Sequence, residues 1–199
     1  MIKKLKKGEY LETLLRSPRT IFSVKDVVLL WNENNSSLVT DRLKKYVKAG
    51  KLIRLRQGIY AKDENYNVFE LATRIYTPSY ISFETVLTRE GLNFQKYESI
   101  FVASYLSRKI NINGQNISFL RLKDYVLTNT LGVLQDRNIA IATKERAFLD
   151  RIYFSSDYHF DNLNVLNWNK VFEILPIYNN KRMIKKVNSY FKAYKNSNL

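Results

Sequence analysis

The chain contains no cysteine, so neither a disulfide framework nor a thiolate-bound metal is open to it, and a reducing cytoplasm is the expected compartment. Its one histidine, His159, can at most join carboxylates in a mixed metal site, and in the setting Asp157-Tyr-His-Phe-Asp161 it reads as a surface or half-buried residue. Asp150, Asp157 and Asp161 read as solvated carboxylates by default. The six glycines, at 8, 50, 58, 91, 114 and 132, are scattered, which excludes both common phosphate-cradling loops. There is no Asp-x-Asp pair to hold a catalytic Mg2+. No segment approaches the ~20 apolar residues of a membrane span. The opening MIKKLKK is followed by Gly-Glu-Tyr-Leu-Glu and not by the apolar run of a signal peptide. No catalytic residue, no metal, no cofactor and no membrane partner are therefore expected.

Acidic groups are the scarce charge, 18 Asp and Glu against 33 Lys and Arg, a formal +15. The excess sits at the two ends: residues 1–62 carry 15 basic and 5 acidic groups, residues 63–169 carry 11 and 12, and residues 170–199 carry 7 and 1. Such a field attracts polyanions, either nucleic acid or an anionic membrane surface. At 199 residues the chain has room for two small domains.

Residues 35–61 decide between those polyanions. Val39, Leu43, Tyr46 and Val47 share one helical face, and Ser37, Thr40, Asp41, Lys44 and Lys48 share the opposite one. Asn35 or Ser36 caps the first amides, Gly50 ends the helix, and Lys44, Lys45 and Lys48 favour its negative end. Lys51–Arg56 then alternates as a strand, with Ile53 and Leu55 inward and Arg54 and Arg56 outward. Gln57-Gly58 turns the chain into Ile59-Tyr60-Ala61. Upstream, Ser23-Val-Lys-Asp26 is a capping box opening a helix through Trp31, and Asn32–Asn35 is a short turn. Helix, turn, helix and basic hairpin predict a winged helix-turn-helix, an arrangement used mainly for DNA. The expected contacts are Ser36, Ser37, Thr40, Asp41, Lys44, Lys45 and Lys48 from the helix and Arg54, Arg56 and Gln57 from the wing. A helix over Ile2–Leu15, which Gly8 can split, would cover the core, and Ile21-Phe22 would pair with the wing.

Lys62–Asn67 is polar and places a domain boundary, giving 1–62 and 63–199. Beyond it the spacing predicts a helix over Val68–Ile75 with Phe69, Ala72 and Tyr76 near one face, and a helix from the cap Ser82 to Arg89. Strands are expected over Ser99–Tyr105, Lys109–Ile112 and Gln115–Arg121, the last two joined by Asn113-Gly114. Asn138–Ala142 leads to a helix capped by Thr143, on which Arg146 and Asp150 form an i, i+4 pair worth a few tenths of a kcal/mol. Ser155–Asn169 reads as a loop or the entry to a helix. The last helix, Arg182–Tyr194, turns Met183, Val187, Tyr190, Phe191 and Tyr194 inward. The fold class is thus α+β, a winged helix-turn-helix followed by a mixed α/β domain that ends in a basic helix.

Three runs in this order, TDRLKKYVKAGKLIRLRQGIYA from Thr40 to Ala61, PSYISFETVLTREGL from Pro78 to Leu92, and IAIATKERAFLD from Ile139 to Asp150, resemble the AbiEi family of antitoxins of type IV, abortive-infection toxin–antitoxin systems. Glu90 stands where that pattern has histidine and Thr143 where proline is common. The resemblance implies a cytoplasmic repressor that binds double-stranded DNA at inverted repeats in its own promoter. It also implies neutralisation of a nucleotidyltransferase toxin without a stable complex with it. The cations Lys181, Arg182, Lys185, Lys186, Lys192 and Lys195 at the C-terminus are then either an antitoxic surface or the solvated outer face of a packing helix. The other class left open is a non-enzymatic module binding RNA or protein, for which the 14% aromatic content could supply stacking platforms.

Overall fold

The computed structural model describes residues 5, 6, 8–155 and 157–197. The beginning of the helix expected from Ile2 lies outside them. The chain divides into two compact units, Met1–Ile75 and Tyr76–Leu199, and its architecture is mixed α and β.

In the first unit, α1 (Glu9–Arg16) starts at Gly8, whose φ of 105° is closed to most side chains. Strand β1 (Ile21–Ser23) runs into α2 (Val24–Trp31), α3 (Ser36–Lys48), β2 (Ile53–Arg56), β3 (Ile59–Ala61) and α4 (Val68–Ile75). The strands form an antiparallel sheet in the order β1-β3-β2, with Ile21 opposite Ala61 and Ser23 opposite Ile59, so Ile21-Phe22 pairs with the hairpin as expected. The capping box forms: Ser23 Oγ accepts from Asp26 N at 3.1 Å, and Asp26 Oδ2 accepts from Ser23 N at 2.9 Å. Leu14, Phe22, Val27, Val39, Leu43 and Tyr60 fill the core. Trp31 joins it edge-on to Tyr10, donating its indole N–H to the Tyr10 carbonyl at 2.9 Å.

The boundary falls at Ile75/Tyr76 and not at 62/63, because α4 is bound to the first unit by buried charge. Glu70 accepts from the Thr20 amide at 2.8 Å and its hydroxyl at 2.7 Å. Arg74 donates to Asp26 Oδ1 at 3.0 Å, the oxygen that Arg19 also reaches at 2.8 Å. The polar stretch after Ala61 is therefore a loop within a unit. Ala72 is buried as expected, together with Glu70, Leu71 and Thr73, while Phe69 and Tyr76 are only half-buried.

The second unit is a mixed sheet in the order β6-β7-β5-β4-β9-β8, made of β4 (Ser79–Ile81), β5 (Ser99–Ser104), β6 (Arg108–Ile112), β7 (Gln115–Arg121), β8 (Val133–Asp136) and β9 (Ile139–Ala142). Pairs β5/β7 and β4/β9 are parallel and the others antiparallel. Asn113 and Gly114, at φ 51° and 83°, make the β6–β7 turn with both central residues left-handed. Helices α5 (Phe83–Arg89), α6 (Asp124–Leu127), α7 (Lys144–Phe154), α8 (Trp168–Ile174) and α9 (Lys181–Ser197) complete it, with a 3-10 turn over Leu175–Tyr178. Thr143 caps α7 as expected, accepting from Arg146 N. Ser82 precedes α5 but makes no side-chain cap: its hydroxyl donates to Asp150 Oδ2 at 2.7 Å.

That bond belongs to a network that corrects the surface reading of Arg146 and Asp150. Both are fully buried. Arg146 donates to Asp150 Oδ1 (3.2 Å), to Tyr80 Oη (2.9 Å), and to the carbonyls of Val126 (2.7 Å), Leu131 (2.7 Å) and Asn129 (3.3 Å). Asp150 also accepts from Tyr178 at 2.6 Å and Tyr80 at 2.9 Å. Burial pushes its carboxyl up from the ordinary value, and Arg146, Tyr178, Ser82 and Tyr80 pull it back. Burial, then the Asp150 charge, hold the Tyr80 and Tyr178 phenols well above their usual range, so both remain donors.

Candidate nucleic-acid interface

Helix α3 is oriented by what it buries. Val39 and Leu43 lie in the core, Tyr46 and Val47 are half-buried, and the opposite side exposes Ser36, Ser37, Asp41, Lys44, Lys45 and Lys48. Asn35 fixes the first turn by accepting from the amides of Ser37 at 3.0 Å and Leu38 at 3.3 Å. Thr40 is half-buried and spends its hydroxyl proton on the Ser36 carbonyl at 2.8 Å, leaving an acceptor and a methyl. Lys44 stands 3.1 Å from Asp41, both more than half exposed. Such a pair is worth at most about 1 kcal/mol, so a phosphate can displace it. Arg42 is not part of this surface, since its guanidinium lies 3.5 Å from the centre of the Tyr10 ring.

Only Ala49–Leu52 separate α3 from the hairpin, and Leu52 is a core residue outside the strand. Gly58, at φ 77°, makes the turn, and its carbonyl accepts from Val24 N at 3.1 Å, tying the hairpin to the start of α2. Arg54 and Gln57 are exposed. Arg56 is half-buried, and the reason is a bulge: Arg54 faces Tyr60 and Arg56 faces Ile59, so Leu55 is an extra residue and the expected alternation breaks. Two apolar side chains went unremarked in the sequence reading, Leu29 at 79% and Leu38 at 56% exposed. Both fall off the apolar faces of their helices, and that signal was available. Leu38 follows Ser37 on α3 and is chemically suited to a thymine methyl.

The α9 cations are spread along the length of the helix. Lys186 reaches Asp157 at 3.4 Å and lies over the Tyr190 ring, while Lys185 and Lys192 are exposed. Lys181 and Arg182 stand at the other end, about 15 Å from Lys192 at 1.5 Å per helical residue. Met183 and Val187 are buried, as expected, and Tyr190, Phe191 and Tyr194 are half-buried against Phe148 and Trp168. With the division at Ile75 the basic excess is shared, 16 basic to 8 acidic groups in the first unit and 17 to 10 in the second.

His159 is exposed, 3.7 Å from Asp161, and Asp150 is sealed inside the unit. Among the described residues no three His, Cys, Asp or Glu come together as metal ligands, and no helix is long and apolar enough to cross a membrane. No family model and no curated protein matches the chain.

Proposed function

We propose that the first unit is a winged helix-turn-helix that binds duplex DNA, and that the chain is a non-enzymatic autorepressor serving as the antitoxin of a type IV toxin–antitoxin system. The observation that carries the DNA reading is the exposed side of α3. It presents Ser36, Ser37, Asp41, Lys44, Lys45 and Lys48, a few residues from a hairpin that exposes Arg54 and Gln57. Side chains from the leading turns of α3 read base edges, and Lys45, Lys48 and Arg54 hold phosphates. The antitoxin part rests on the three runs that resemble the AbiEi family.

A shift assay on the DNA upstream of the coding region, repeated across salt concentrations, tests the reading. If about six phosphates are neutralised, log K against log salt has a slope near −5. Arg54→Ala weakens cognate and random DNA alike, whereas Ser37→Ala and Lys44→Ala change base preference by about 1–3 kcal/mol. A flat salt response, or equal losses on cognate and random DNA from the α3 variants, would sink the assignment.

A further inference from the structure

A cavity of about 280 Å3 opens in the second unit where the start of α6, the last turns of α7 and the start of α9 meet. We propose that it is a binding site for a phosphate group, as carried by a nucleotide or by a nucleic-acid end. Its wall holds three cations, Lys123, Lys181 and Arg182, and no carboxylate. All three are exposed, and among the described residues none of them has an ion-pair partner, so the cations are available to an external anion.

The Tyr178 carbonyl and the Asp150 carboxylate are both covered, while Asp124, next to Lys123 in the chain, is exposed. Tyr178 forms part of the wall, and its backbone carbonyl accepts from the Tyr125 hydroxyl at 3.2 Å. Behind it, the phenol of Tyr178 donates to Asp150, whose charge faces Arg146 inside the unit. Asn180 accepts from the amides of Arg182 at 3.0 Å and Met183 at 3.2 Å, so the anion is held by side chains, with the positive end of a long helix adding to the field. Lys123 lies 5.9 Å from the Tyr125 ring centre, at the rim of a cavity otherwise lined by phenols and amides. The volume sits just under the roughly 300–1,000 Å3 of small-molecule sites, which limits the occupant to about a mononucleotide. A phosphate fits this set better than a carboxylate does, because three separated cations can each meet a different oxygen.

The site is independent of the proposed DNA surface on the first unit. Calorimetric titration of the full-length chain with inorganic phosphate, with adenosine monophosphate, and with a dinucleotide carrying or lacking a 5′-phosphate tests it. Inorganic phosphate should bind saturably. Lys123→Ala and Arg182→Ala should each weaken it roughly tenfold or more, the equivalent of one charge-assisted hydrogen bond. Lys185→Ala, on the same helix but outside the wall, and Arg54→Ala, on the first unit, should leave it unchanged. Thermal unfolding confirms that each variant keeps its fold. Preference for the monophosphate over inorganic phosphate assigns a free nucleotide, and preference for the phosphorylated dinucleotide assigns a nucleic-acid end. The proposal is overturned if inorganic phosphate does not saturate, or if Lys185→Ala costs as much as Arg182→Ala.

Discussion

Replacing Arg146 with Met tests whether the second unit depends on its buried charge. Methionine occupies much of the same volume but removes every donor that now serves Asp150, Tyr80 and the carbonyls of Val126, Leu131 and Asn129. Each carbonyl left dry costs about 1–3 kcal/mol, and removing one partner of a buried ion pair costs about 3–5 kcal/mol. These terms overlap, because the same side chain serves all the acceptors, and a net loss of about 4–6 kcal/mol is expected. Domains are stable by about 5–15 kcal/mol in total, so the variant unit stands close to unfolding. At roughly 3–5 °C per kcal/mol for a unit of this size, its midpoint drops by about 12–30 °C. The two tryptophans report separately, since Trp31 lies in the first unit and Trp168 in the second. Heating followed by emission and far-ultraviolet circular dichroism should show an early transition at Trp168 alone. Adding Asp150→Leu should recover part of the loss by removing the stranded carboxylate. A loss under about 1 kcal/mol in Arg146→Met alone would refute the reasoning.

Gly132→Ala places a Cβ 2.8 Å from Ile174 Cδ1 and 2.9 Å from Arg146 Cβ at a φ of +75°, so strain and overpacking together should cost about 2–4 kcal/mol by denaturant titration. Gly114→Ala, at a similar φ with open space around it, should cost only about 1–2 kcal/mol, and equal losses would discount the contact. Because the Tyr80 and Tyr178 phenols are raised in the folded state, their contribution is fully present below pH 10 and is lost above it, where only the unfolded chain ionises them. Stability should therefore fall by about 2.7 kcal/mol per pH unit in that window, and by half as much in Tyr178→Phe, as read from urea midpoints. Asp26→Ala removes the carboxylate half of the capping box and the oxygen that Arg19 and Arg74 share, which should cost the first unit about 2–4 kcal/mol while the Trp168 transition stays in place.

Features written within a few residues of one another were legible in the sequence. Ser23-Val-Lys-Asp26, Asn113-Gly114 and the Thr143 cap each satisfy their backbone groups locally, so the motif and the structure coincide. Strand β4 was missed because three residues between Pro78 and Ser82 are too few for any alternation, and the entry to α8 was left open against a loop because its Asn167 cap sits in an Asn-rich stretch. The burial of Arg146 and Asp150 was illegible for another reason. Their spacing is the same for an exposed pair, and the partners that make it a core network, Tyr80 and Tyr178, lie 66 and 28 positions from Arg146 and Asp150 respectively. In the candidate interface, periodicity gave the exposed side of α3 correctly, whereas the bulge at Leu55, which separates Arg54 from Arg56, has no local sequence signal.

The attachment of α4 to the first unit bears on how the chain responds to proteases. Asp63, Glu64 and Asn65 are exposed and outside any helix or strand, which makes this loop a natural place for a nick. A cut there severs the polypeptide without releasing its N-terminal piece, because Glu70 still grips Thr20 and Arg74 still grips Asp26 across the break. The two pieces should travel together on a sizing column and separate only in denaturant. By the same token, an exchange of N-terminal units between relatives would have to carry α4 along, and a splice in the obvious polar linker would join a unit to a latch it cannot close.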